Sequence, residues 1–145
     1  MRFLLFLLAY SLTASQPHGF LVERVIDGDT IVVRPHRTVR LLGIDAPELK
    51  YHECGAVEAR EYVRDRIEGR SVRLTFEGKR RDKYGRELAW VWYGAPQRLL
   101  NADLVEDGWA RSYNYFRTSR TRKLDRLEQR AQVAQIGRWN PQKCP

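Results

Sequence analysis

Polar and apolar positions first alternate along this chain and then fall into a helical period. Phe20 to Ile26 (F-L-V-E-R-V-I) reads as a first strand, and Ile31 to Val33 as a second. Between them Asp27-Gly28-Asp29-Thr30 is a turn in which Gly28 is expected to take a positive φ. Pro35-His36-Arg37 breaks the second strand, and Val39 to Ile44 forms a third that runs into Asp45. Loops this short between successive strands predict an antiparallel meander. From Ala56 the period changes: Ala56, Ala59, Val63 and Ile67 recur at helical spacing, and Gly69 stops the helix. Val72, Leu74 and Phe76 alternate as a fourth strand, and Leu88 to Tyr93 form a fifth, ended by Gly94 and Pro96. Leu100 to Asp107 is a short helix closed by Gly108. A last helix runs from about Ser119 to Gln135, with Leu124, Leu127, Ala131 and Ala134 on one face.

Three strands, a helix, two strands and two helices give an α+β fold: a five-stranded OB-type β-barrel with three helices, the first inserted between strands three and four. No internal repeat or low-complexity tract interrupts it. With 145 residues, the length fits one domain, expected over residues 16–145. The first fifteen residues differ in kind. Arg2 precedes an apolar stretch, Phe3 to Leu12, and Thr13-Ala14-Ser15 offers small residues for cleavage near Ser15/Gln16. Ten apolar residues are too few to span a bilayer, so this reads as a secretory signal over residues 1–15, with no stable membrane anchor and a secreted or periplasmic product.

Composition narrows the partners. The chain carries 26 Lys plus Arg against 18 Asp plus Glu, a net charge of +8, which favours polyanions or anionic surfaces. Two cysteines, Cys54 and Cys144, fit an oxidising compartment, and a bridge between them would tie the C-terminal tail to the domain. Two free thiols are the alternative. Neither cysteine has a second Cys or His at zinc-type spacing. His18, His36 and His52 show no ligand spacing and are expected at the surface, whereas Trp90 and Trp92 are expected to pack.

Three segments concentrate chemistry. Arg40 to Glu48 (R-L-L-G-I-D-A-P-E) places a guanidinium and two carboxylates at the end of a strand. The D-G-D turn lies at the end of a neighbouring strand, so Asp29 and Asp45 can converge on a hard cation, with a backbone carbonyl as a further oxygen. An EF-hand is excluded, because its later ligand positions are Ile31, Val33 and Pro35. Turn-forming chemistry alone would also account for Asp27-Gly28-Asp29. Arg81 to Arg86 (R-D-K-Y-G-R) is a tight turn leading to Arg86, whose planar guanidinium suits bidentate phosphate binding.

I-D-G-D-T, R-L-L-G-I-D-A-P-E and D-K-Y-G-R, in this order, resemble the staphylococcal nuclease (thermonuclease) family over essentially Phe20 to Trp139. The resemblance implies an OB fold and calcium-dependent hydrolysis of DNA and RNA at the 5′ oxygen, leaving 3′-phosphates. It implies calcium (Ca2+) held by Asp29, Asp45 and the carbonyl of Ala46, a position that is Thr in the best-known members. Glu48 would activate or orient the attacking water, and Arg40 and Arg86 would clamp the phosphate. Lys83 and Tyr84 match positions on a neighbouring phosphate, and Tyr113 and Tyr115 the tyrosines lining the nucleotide groove. Single-stranded substrate and a monomer are the accompanying expectations. The loop from Leu49 to Glu53 is shorter than in the best-known member. The rival reading is a non-catalytic OB module that binds single strands through basic and aromatic residues.

Overall fold

The structure is a computed structural model and describes residues 19–145. The expected signal segment and its cleavage point lie outside the described residues. β1 (Phe20–Asp27), β2 (Thr30–Val33) and β3 (Arg37–Leu41) form the antiparallel meander that the alternation predicts. β4 (Ile44–Asp45) follows as a separate pair of residues, and α1 (Ala56–Ile67) after it packs against β1. β5 (Ser71–Thr75) pairs antiparallel with β1, and β6 (Glu87–Tyr93) antiparallel with β5. A parallel pairing of β3 with β6, with Arg40 opposite Leu88, closes β1, β2, β3, β5 and β6 into a barrel. β7 (Arg98–Leu99) leads into α2 (Leu100–Glu106), β8 (Arg111–Ser112) pairs with β4, and α3 (Thr121–Val133) packs on α2.

The interior is filled by Val22, Ile31, Val33, Val39, Leu41 and Val72 from the barrel and by Val63, Ile67, Leu100, Leu104 and Leu124 from the helices, all buried. Full burial of such a side chain contributes roughly 1.5–3 kcal/mol. All four expected α1 positions, Ala56, Ala59, Val63 and Ile67, are buried, and Gly69 ends the helix in the left-handed region at φ +75. Trp90 is 2% exposed and Trp92 packs against the core, as expected. His36 and His52 are at the surface. Cys54 and Cys144 are joined by a disulfide.

Three expectations are corrected. The third strand does not run unbroken to Asp45: it ends at Leu41, turns at Leu42-Gly43 with Gly43 at φ +74, and resumes as β4. Asn101 explains the break. Its buried amide donates to the carbonyls of Leu42 and Ala89 and accepts the amide of Val91, drawing the chain inward there. Gly28 is not in the left-handed region; it is glycine for space, since a Cβ would lie 2.8 Å from the Cβ atoms of both Ala46 and Ala59. Ala134 caps α3 from outside and is exposed, while Thr121 joins Leu124, Leu127 and Ala131 on the buried face. The two-residue strands β4, β7 and β8 are too short to carry a period.

Candidate active site

The close approach at Gly28 presses the β1–β2 turn against the turn that follows β4. Asp29 is therefore 5% exposed, and every oxygen of its carboxylate is engaged. The Thr30 hydroxyl donates to Oδ1 at 3.0 Å, the Ala46 amide donates to Oδ2 at 2.7 Å, and Arg40 Nη2 lies 3.1 Å from Oδ2. Arg40 reaches this point from β3 by filling the strand break: its Nη1 donates to the carbonyls of Leu41 and Ile44, each at 2.8 Å. The same Nη2 lies 3.3 Å from Asp45 Oδ1. One guanidinium nitrogen thus touches both Asp29 and Asp45, with Ala46 next to them. The β4–β8 register sets Asp45 opposite Arg111, whose Nη2 is 3.6 Å from Asp45 Oδ2.

Burial pushes the Asp29 carboxyl up to about 6, against the opposing pull of Arg40. Asp45 is also raised, by burial first, with Arg40 again opposing. Arg40 faces both carboxylates and Arg111 faces Asp45 as well, yet burial outweighs them and both carboxyls stay above the ordinary value. The donors they offer are all oxygens, the set that suits a hard divalent cation. Among the described residues no group of three or more acidic, His or Cys side chains encloses a metal. Arg40 draws Asp29 and Asp45 to one nitrogen, and the Ala46 amide joins them through Asp29 Oδ2.

Among the described residues none of the other expected side chains makes a hydrogen bond or ion pair with Asp29, Arg40 or Asp45. Glu48 follows Pro47 on the turn; its amide donates to Glu53 Oε2 at 3.0 Å, and its side chain is 47% exposed, 3.9 Å from Lys50. Arg86 stands before β6, two residues from Leu88, the strand neighbour of Arg40. Asp82 fixes it: Oδ2 accepts Arg86 Nε at 2.7 Å, and Oδ1 accepts the amides of Tyr84 and Arg86 at 2.9 and 3.0 Å. Burial resists ionisation of Asp82, but these bonds prevail and hold its carboxyl below the usual range. Lys83 and Arg86 lie 5.1 and 5.3 Å from the exposed ring of Tyr84. The Tyr113 amide donates to Gly43 O at 2.9 Å, which ties the second aromatic segment to the strand break. Tyr113, Tyr115 and Phe116 are exposed, with ring centres 5.0 to 6.4 Å apart.

Sequence reasoning did not single out Thr30, Arg111, Glu53 or Phe116, and it read Asp82 as a turn former alone. Thr30 had a signal, as the hydroxyl residue that completes D-G-D-T. Arg111 had none, because its strand is two residues long.

A family model described as Staphylococcal nuclease homologue matches residues 38–141, a span that contains Arg40, Asp45, Glu48 and Arg86. A thermonuclease of Staphylococcus intermedius is 33% identical over 137 residues, covering 89% of this chain and 80% of that protein. A micrococcal nuclease of Shigella flexneri is 33% identical over 129 residues, covering 82% and 72%. Protein ParB of Escherichia coli is 36% identical over 130 residues, covering 82% and 71%.

Proposed function

Because this chain belongs to the staphylococcal nuclease family, we propose that it is a secreted, calcium-dependent nuclease cutting DNA and RNA at the 5′ oxygen and leaving 3′-phosphates. The observation that carries this reading is the single Arg40 nitrogen in contact with both Asp29 and Asp45, beside Ala46. Residues 1–15 are taken as an export signal and 16–145 as one nuclease domain. Among the described residues no helix is long and apolar enough to cross a membrane.

Asp29, Asp45 and the carbonyl of Ala46 would hold calcium. When bound, the ion supplies a Lewis acid for the phosphate and a water close to phosphorus. Glu48 is exposed and accepts the proton of the attacking water as the new P–O bond forms and the bond to the 5′ oxygen breaks. Arg40, held by the carbonyls of the strand break, and Arg86, held by Asp82, stabilise the charge growing on the phosphoryl oxygens without reorganising. With three carboxylates, a divalent ion and two guanidiniums, the site balances one phosphodiester anion. Lys83 and Tyr84 meet the neighbouring phosphate. Tyr113 and Tyr115 offer exposed ring faces to unpaired bases, which favours single strands, and the enzyme acts as a monomer.

The test is digestion of single-stranded DNA and RNA with calcium, magnesium or manganese, and after chelation. Calcium restores cutting that chelation abolishes; digestion that persists in chelator would sink the metal mechanism. Glu48→Gln and Arg86→Ala stay folded and each lose turnover, the arginine variant by about 10²–10³, as for loss of one oxyanion donor. Binding without cleavage under every metal would leave the non-catalytic module instead.

A further inference from the structure

Arg40 meets Asp45 at Oδ1 and Arg111 at Oδ2, and a further arginine, Arg138 of the C-terminal tail, feels the like charge of Arg111. Arg111 extends from β8, with its side chain 50% exposed. Arg138 lies in the 3₁₀ turn Gly137–Trp139. Its backbone is tightly fixed. The Arg138 amide donates to Gly108 O at 2.9 Å, and the two glycines pack so closely that a Cβ on Gly137 would fall 2.4 Å from Gly108 O. The Arg138 Cβ sits 3.5 Å from where a Cβ on Gly55 would be, next to the Cys54–Cys144 disulfide.

The Arg138 guanidinium is half-buried, and among the described residues it has no carboxylate within ion-pair distance. Its Nη1 is buried without a hydrogen-bond partner. Glu53, Asp45 and Glu128 face it from further away, and Arg111 faces it with like charge. Burial, and then Arg111, pull its pKa below the ordinary arginine value. A protein rarely leaves such a group unpaired; Arg111 already faces Asp45, so the deficit is Arg138's alone, and an anion held at the exposed Arg111 would set negative charge facing it.

We propose that Arg111 and Arg138 form a second phosphate subsite, which holds the phosphodiester adjoining the scissile one on the side opposite Lys83 and Tyr84. Arg111 touches the phosphate; Arg138 sets the second positive charge behind it. The placement follows from topology. Arg40 stands between β6, which carries the Lys83–Arg86 turn at its start, and the β4–β8 pair that carries Asp45 and Arg111. A strand whose scissile phosphate lies at Arg40 therefore has one neighbouring phosphate towards each flank. This inference rests on the nuclease reading and extends it to substrate register.

The experiment measures binding of short oligothymidylates in chelator, so that nothing is cut, with one linkage at a time made neutral as a methylphosphonate. In the wild type, neutralising the linkage that adjoins the cleaved one weakens binding about 3–10-fold. In Arg111→Gln the same change has no effect, and the slope of log affinity against log salt falls by about 0.7. Arg138→Gln weakens binding of the unmodified strand and Arg138→Lys restores it, a rescue that a purely packing role would not give. Equal sensitivity at every linkage in wild type and Arg111→Gln, or an unchanged salt slope, overturns the subsite. If Arg111→Gln fails to fold, the Arg138→Gln and Arg138→Lys pair decides. A wild type that never cuts the unmodified strand with calcium would refute the nuclease reading, while the salt slope of Arg111→Gln still judges whether this arginine holds a phosphate.

Discussion

Gly28 holds the two acidic turns together by having no side chain. Its α-carbon faces Ala46 and Ala59 at a distance that leaves a methyl group 2.8 Å from two other Cβ atoms. Gly28→Ala must move backbone on both sides, since neither neighbour is a flexible side chain, at a cost of about 1–3 kcal/mol. The displacement would fall on the Ala46 amide bond to Asp29, so turnover should drop more than folding. Denaturant unfolding and initial rates on the same preparation check this; a variant as stable as wild type would show that the turns do not abut. The neighbouring Arg40 serves structure and, in the mechanism we propose, chemistry as well. The carbonyls it satisfies belong to the strand break, so its charge arrives already oriented.

Between elements, Glu77 does for the loop before α3 what Asp82 does for the Arg86 turn. It follows β5 and accepts the Ser119 amide and hydroxyl and the Trp90 indole, joining the barrel to the start of α3. Burial opposes its ionisation, but those bonds prevail and hold its carboxyl below the usual value of 4.5. The sign follows: the folded state binds its proton less readily than the unfolded chain. This contribution to stability is full above pH 4.5 and disappears as pH falls through the lowered folded value. Glu77→Gln should lower the melting temperature at pH 7 and narrow the gap between pH 7 and acid. An identical pH dependence in both proteins would remove Glu77 from the account.

For the molecule as a whole, the Cys54–Cys144 bond closes a loop over a separation of 90 residues. In the chain-entropy treatment such a bond stabilises by roughly 4–5 kcal/mol. It also fixes the tail that carries Arg138 beside the segment holding Glu53, the acceptor of the Glu48 amide. Cys54→Ser with Cys144→Ser should therefore unfold at markedly lower denaturant, and a dithiol reductant should do the same to the wild type alone. Unchanged midpoints in both would mean that the tail is held without the bond.

The barrel strands, the three helices and the acidic and basic motifs were legible in the amino-acid order, because alternation and helical period are local and long enough to register in strands such as β1 and helices such as α1. So were Asp29, Arg40, Asp45, Glu48 and Arg86 as candidates, because each sits in a motif of adjacent residues. The break at Leu42-Gly43 was not, since its cause is Asn101, 59 residues away from Leu42. Nor was the reason for Gly28, which depends on Ala46 and Ala59 arriving from other elements. Arg111 and Arg138 carry no local pattern at all; only the β4–β8 pairing sets Arg111 beside Asp45, and only the packing of Gly108 on Gly137 fixes the turn that carries Arg138. Sequence by itself determined which groups are available. Tertiary structure decided which of them share one desolvated space, because burial and long-range hydrogen bonds join residues that no local period relates.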